Sequence, residues 1–346
     1  MEAAMEKKPG GETPVLRADA PDAARRRWLH GAAALLGTLP LAGLARADAL
    51  TQRQLNLVVP FVPGGPVDIA GRVVGQELGQ QLGTPVVVSN KGGAGGNIGA
   101  EEVSRSQPDG GTLLLALDSI LTVNPYFYGK GATQGVQTLA PVGMVGELSS
   151  VLVVNARSPI KSVADFLEHG RRNNLTAGSG GNATAGHLYA EQLKRDFGVQ
   201  LTHVPYKGLS PAVQDLLAGN IDCIVALIPG VLPHIRAGSL RALGLTSARP
   251  QVLLPELKPL SELGLPGFTG ASWLALMAPE GVPPGVADKL SAGLSQALRN
   301  PAVVERLHSA GIDPLYADAP TVRARIAREG AQWSTLLASI QPAPQR

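Results

Sequence analysis

The sequence predicts an α/β protein of two lobes, one inserted into the other, with a cleft between them. Three observations carry that expectation. Short apolar runs alternate with helical stretches through residues 48–346, the pattern of helix-covered sheets, read here as mainly parallel. A second series of this kind, residues 151–271, interrupts the first, so lobe one takes 48–150 and 272–346. Two chain crossings then join the lobes and form a hinge beside a natural ligand cleft.

The elements follow in order. Residues 55–61 read as a first strand, broken by Pro63-Gly64-Gly65-Pro66. A helix starts near Val67-Asp68 and places Ile69, Val73, Val74, Leu78 and Leu82 on one face. Strands are expected at 85–88 and 112–117, then at 151–155 just past the middle. The inserted series gives strands at 175–177, 201–204, 221–226 and 240–245, with helices near 183–197 and 211–218. A strand at 273–279 leads into two or three closing helices, one carrying Val286, Leu290, Leu294 and Leu298 at intervals of four.

The front of the chain reads as an export signal. Arg25-Arg26-Arg27 ends a polar segment, Gly31 to Leu44 is apolar, and Ala45-Arg46-Ala47 supplies small residues at a cleavage site. Pro40 and the short length argue against a transmembrane helix. Ala24 to Leu29 resembles a twin-arginine signal with Trp28 in place of the usual Phe, and the ordinary secretory route stays open. The mature chain is expected to start near Asp48, in the periplasm.

The net charge of +3 does not mark a nucleic-acid binder. The first 47 residues hold seven basic and five acidic side chains, leaving 23 and 22 for the rest, with no basic stripe. Cys223, the single cysteine, lies in an apolar run and reads as a core residue. No elbow, zinc or cysteine–histidine motif marks catalysis or a metal site. A catalytic constellation assembled only in three dimensions, or a lobe pair that binds a partner protein, remains as an alternative.

Ligands of open α/β sheets lie beyond strand carboxyl ends, where helix amino ends offer unpaired N–H groups to anions. Three places fit. In Pro63-Gly64-Gly65-Pro66-Val67-Asp68, the glycines admit close backbone approach, and Asp68 serves either to steady the helix or to meet a ligand as well. In Gly178-Ser179-Gly180-Gly181-Asn182-Ala183-Thr184, an anion nest is expected; His187, one turn on, is a packing residue or a donor. In His203-Val204-Pro205-Tyr206-Lys207-Gly208, Tyr206 could wall the cleft and offer a hydroxyl, and Ser210-Pro211 reads as an N-cap and N1 pair. The glycine-rich run 92–99 fails the dinucleotide fingerprint at Ile98, so no nucleotide cofactor is expected.

Beyond these loops, Gln107-Pro108-Asp109-Gly110-Gly111-Thr112-Leu113, Asn124-Pro125, Arg241-Ala242-Leu243-Gly244 and Glu262-Leu263-Gly264-Leu265-Pro266-Gly267-Phe268 complete an ordered series. Together with Pro60 to Asp68, Val88 to Gly99 and His203 to Gly208, it resembles the Bug-type receptors of tripartite tricarboxylate transporters over the whole mature length. The resemblance implies a type II periplasmic binding-protein fold, two Rossmann-like lobes closing on one small organic carboxylate without a cofactor. It implies a monomer that serves the small and large membrane subunits of a transporter, or a sensor kinase. It also implies that Phe61, Pro63, Gly64, Gly65 and Asp68 face Ser179, Gly180, Asn182, Ala183 and Thr184 across the ligand, gripping it through backbone groups and waters. His187 and Tyr206 complete the expected site. Asp118 departs from the family, which has a small neutral polar residue there. Facing the cleft, Asp118 would repel a polyanion and favour an amino group or hydroxyl; otherwise it caps the next helix or meets solvent.

Overall fold

The computed structural model describes residues 52–129 and 131–340. The export signal read over residues 1–47 and its cleavage site lie outside the described residues.

Strand β1 (Leu55–Val59) stops just before Pro60, two residues short of the expected Phe61, because proline has no N–H for the ladder. Helix α1 (Pro66–Leu82) buries Val73, Val74 and Leu78 against it and leaves Ile69 exposed. Strand β2 (Val86–Asn90) runs parallel to β1. The glycine-rich run then makes a single tight turn before α2 (Asn97–Ser104). Gly96 sits at φ +96°, and a Cβ there would stand 2.5 Å from the Ile120 side chain, so the glycine serves chain conformation. Strand β3 (Thr112–Leu117) passes directly into the short helix α3 (Asp118–Thr122) and α4 (Asn124–Phe127).

Strand β4 (Leu139–Leu148) leaves this lobe and, after Ser149 alone, becomes β5 (Ser150–Asn155) of the other. There follow α5 (Val163–Arg172), β6 (Leu175–Ser179), α6 (Ala185–Phe197), β7 (Leu201–Pro205), α7 (Leu209–Ala218), β8 (Cys223–Leu227), α8 (Ile228–Arg236) and β9 (Leu240–Leu245). The chain returns through β10 (Ser272–Pro279) and closes with α9 (Pro284–Ala297), α10 (Pro301–Ser309), β11 (Asp313–Pro314) and α11 (Ala319–Ile340). On α9 the apolar stripe is buried at Val286, Leu290 and Leu294, packed with α1 and the first sheet in one core.

Two sheets result, ordered β11-β4-β10-β3-β1-β2 and β7-β6-β8-β5-β9. In strand direction each is mainly parallel, as the sequence expectation had it: β1 to β4 of the first and β6 to β9 of the second point one way, and the other strands run against them. In the first, β10 is antiparallel to both β3 and β4; in the second, β5 is antiparallel to both β8 and β9. The reason is the crossing. A strand that arrives from the other lobe enters at the cleft end, where the parallel strands finish, and so runs against them.

The two crossings are bonded to each other. Thr246 N–H donates to Ser150 O (2.9 Å), Ser150 N–H to Thr246 Oγ1 (3.1 Å), and Gly270 N–H to Thr246 O (2.8 Å). Helix α11 braces the same end: Arg325 pairs with Glu147 and Glu329, both at 2.6 Å, and the Trp273 indole N–H donates to Glu329 at 2.7 Å. Trp333, Leu336 and Leu337 of α11 reach the second lobe, packing with Tyr189, Ala183 and Leu188. Cys223 is buried in the second core, where burial pushes its thiol up.

Candidate functional site

A cavity of about 430 Å³ lies between the lobes, at the carboxyl ends of β3, β6 and β8. From the first lobe Phe61, Gly95, Leu117, Asp118, Asn124 and Tyr128 form its wall. Gly180 and the run Asn182 to Gly186 face them, with Leu188, Tyr189 and Leu209, and the end of β8 from Val225 to Leu227. Ser272 of the returning strand and Trp333 of α11 close it. Among the described residues no lysine, arginine or histidine lines it.

The second-lobe wall is built by the turn between β6 and α6. Ser179 is fully buried; its hydroxyl accepts from Gly181 N–H (3.1 Å) and lies 2.6 Å from His203 Nε2. Thr184 Oγ1 donates to Gly181 O at 2.7 Å. Gly181 has φ +133°, and Ala183, unusually for a residue with a Cβ, has φ +60°. What holds Ala183 there is its N–H, which donates to His187 Nδ1 at 3.1 Å. Nδ1 must then carry no proton. The His187 ring stacks on His203 at 4.0 Å between centroids. Burial lowers the pKa of His187, and burial followed by the neighbouring His187 brings His203 down to about 4, so both rings are neutral near pH 7.

The result is a helix start with no side-chain cap. Thr184 spends its hydroxyl inside the turn, and Ala185 and Gly186, the first residues of α6, stand at the cavity wall. Such an end carries unpaired N–H groups and a partial positive charge, the requirement for holding a carboxylate without a cationic side chain. Gly186 is needed for this approach, since a Cβ there would stand 2.7 Å from Val225 O.

Asp118 faces this turn from the first lobe. It is the first residue of α3 yet makes no cap; it is 9% exposed, and among the described residues its Oδ1 has no hydrogen-bond partner. The cavity wall, and neither a cap nor the solvent, is therefore its place. Burial, then the charge of Glu329, push its carboxyl up to about 7, against backbone N–H groups of Ser119 and Trp273 and the Arg325 guanidinium. Tyr189 is buried beside it, and its hydroxyl meets Thr246 at the crossing.

The first glycine turn behaves otherwise than expected. Phe61 reaches the cavity, but Pro63, Gly64, Gly65 and Asp68 do not line it. The Asp68 carboxylate folds back to accept from Gly64 N–H (2.9 Å), and also holds Asn90 Nδ2 (2.8 Å) and Arg72. Burial opposes its charge, but these partners outweigh burial and keep the acid below its usual range. The donor that Gly64 would have lent to a ligand is thus already taken. Ser179 and His187 stand behind the cavity wall as supports of the turn. Tyr206 also lies outside the lining: its hydroxyl donates to Asp215 at 2.6 Å. The expected N-cap at Ser210 is corrected too. Helix α7 starts at Leu209, and Pro211 is tolerated because the first helical N–H groups need no partner.

Several wall residues escaped the sequence reading, among them Asn124, Tyr128, Tyr189, Leu209 and Trp333. The strand-end rule applied to β3 and β8 would have flagged Leu117, Ala226 and Leu227. Asn124 anchors the glycine run, donating to Gly95 O (3.1 Å) and Asn97 Oδ1 (2.8 Å), so the Asn-Pro pair shapes this wall.

Residues 70–341 match the family described as the tripartite tricarboxylate transporter family receptor, TctC. Protein BugT of Bordetella pertussis is 35% identical over 86% of this chain and 93% of its own. The solved periplasmic binding protein BugD is 32% identical, with a TM-score of 0.70 over 83% of this chain and 97% of that one. Rpa4515 of R. palustris, solved with adipate, is 30% identical, with a TM-score of 0.74 over 84% and 98%. Motif series, two-lobed fold and matched residues agree, and the chain belongs to the TctC receptor family, alongside the Bug-type periplasmic binding proteins.

Proposed function

We propose that this protein captures a small organic carboxylate in the cavity between its lobes and delivers it to the membrane subunits of a tripartite transporter. One observation carries the reading: the uncapped amino end of α6, set in a turn fixed by neutral side chains, borders a cavity with no cationic wall residue among the described residues. The adipate carried by Rpa4515 is an acid of the size class such a cavity takes. Residues 1–47 act as a removable export signal, placing the mature chain, from about Asp48, in the periplasm.

A thermal-shift titration with short mono- and dicarboxylates tests the binding. At least one acid raises the melting temperature saturably, since a ligand at about 100 times its Kd adds ~2.7 kcal/mol. A flat response across the panel removes the reading. Delivery is tested separately, by loss of uptake of that acid in cells lacking this chain.

A further inference from the structure

Asp118 is not needed to hold a carboxylate, and its position works against one. It is a buried carboxyl on the cavity wall whose Oδ1 is without a partner. Backbone N–H groups of Ser119 and Trp273 and the Arg325 guanidinium favour its charged form, but burial and Glu329 outweigh them. On α11, Arg325 is bonded to both Glu147 and Glu329. A buried acceptor left unsatisfied is costly, and such an atom beside a binding cavity points to a donor that arrives with the ligand.

We infer that Asp118 is the specificity-determining residue of the cleft, and that the captured acid carries an ammonium group, set against Oδ1, at the end away from its carboxylate. This rests on the carboxylate reading above and refines it. The two walls are then opposite in kind. The α6 turn supplies donors to the acid group, and Asp118 supplies an acceptor to the amine. A second carboxylate placed there meets an acceptor and the negative side of the cluster, with no free guanidinium to offset it. A carboxyl held up to about 7 gains further charge when the ammonium arrives, so binding of the amino acid releases a proton.

The test uses matched ligands differing only at the far end: 4-aminobutyrate with succinate, 5-aminopentanoate with glutarate, and 6-aminohexanoate with adipate. Isothermal titration in buffers of different ionisation heat reads both affinity and protons. The expected result is that one amino member binds about tenfold or more tighter than its diacid. It does so with proton release and an affinity that rises from roughly pH 6 to 8. In Asp118→Asn that preference is lost by a similar factor. Because the wild-type proton count is itself decisive, misfolding of the variant leaves the inference testable. Tighter binding of the diacids with proton uptake overturns it, as does equal binding unchanged in Asp118→Asn; both leave the carboxylate reading standing. Absence of binding by every acid overturns the two together.

Discussion

The two glycine turns, Pro63 to Asp68 and Gly178 to Thr184, read alike in the sequence, each leading a strand into a helix, yet they are electrically opposite. Helices α1 and α6 both start without a side-chain cap. At α1 the negative charge is already in residence, since Asp68 folds back onto Gly64 and binds Arg72 and Asn90. At α6 the equivalent backbone donor goes to His187, a neutral ring, so the positive end of the helix stays uncompensated. A glycine-rich helix start thus stays open to an anion only where its own supports carry no negative charge.

The largest effect is expected where the second turn meets the cavity. Gly186→Ala brings a Cβ against Val225 O and displaces the start of α6. Carboxylate affinity should drop about tenfold or more, with ~1–3 kcal/mol of stability lost from overpacking. Titration calorimetry and urea midpoints read the two effects. Affinity that survives intact would show that the acid is held elsewhere.

An intermediate effect comes from acid. Both histidines have folded pKa values below 6.5, His203 near 4, so protonation favours the unfolded chain. Their contribution is present above about pH 6.5 and is lost as pH falls toward about 4. Protonated His187 also cannot accept from Ala183, so carboxylate affinity should weaken as pH falls well below 6.5. His203→Gln should flatten the acid slope of the urea midpoint; a slope identical to wild type would assign the acid sensitivity to other groups.

The smallest change in binding is expected at the first turn. Asp68→Asn removes the resident charge yet leaves carboxylate affinity within about twofold, because that loop does not line the cavity. A large loss of affinity there would put both glycine turns in contact with the ligand and end the contrast between them.

How far this was legible varies with the residues. Strand β3 follows from its short continuous apolar run, buried on both faces, and the stripe of α9 from the period that burial on one face leaves to read. Strand β4 was missed: Pro141, Gly143 and Gly146 interrupt its pattern, and its pairing with β10 contains register shifts. Those residues answer to neighbours far along the chain; a Cβ at Gly146 would stand 2.6 Å from Asp313 O. At the site, the 178–184 turn was legible from its glycines, and Asp118 from its departure from the family pattern. The engagement of Asp68 with Gly64, and of Tyr206 with Asp215, was not, since loop sequence does not say which of several acceptors a donor will choose. Tyr189 and Trp333 look like ordinary helix-face core residues until the lobes meet around them.

Ser149 is the whole of one passage between the sheets. Its two neighbours are tied into β4 and β5, and the second passage is stitched to the first at Ser150 and Thr246. Any relative rotation of the halves would therefore have to turn about this stitched pair of passages. A bulky or charged side chain at position 149, which is buried and outside the cavity lining, would crowd that pair directly.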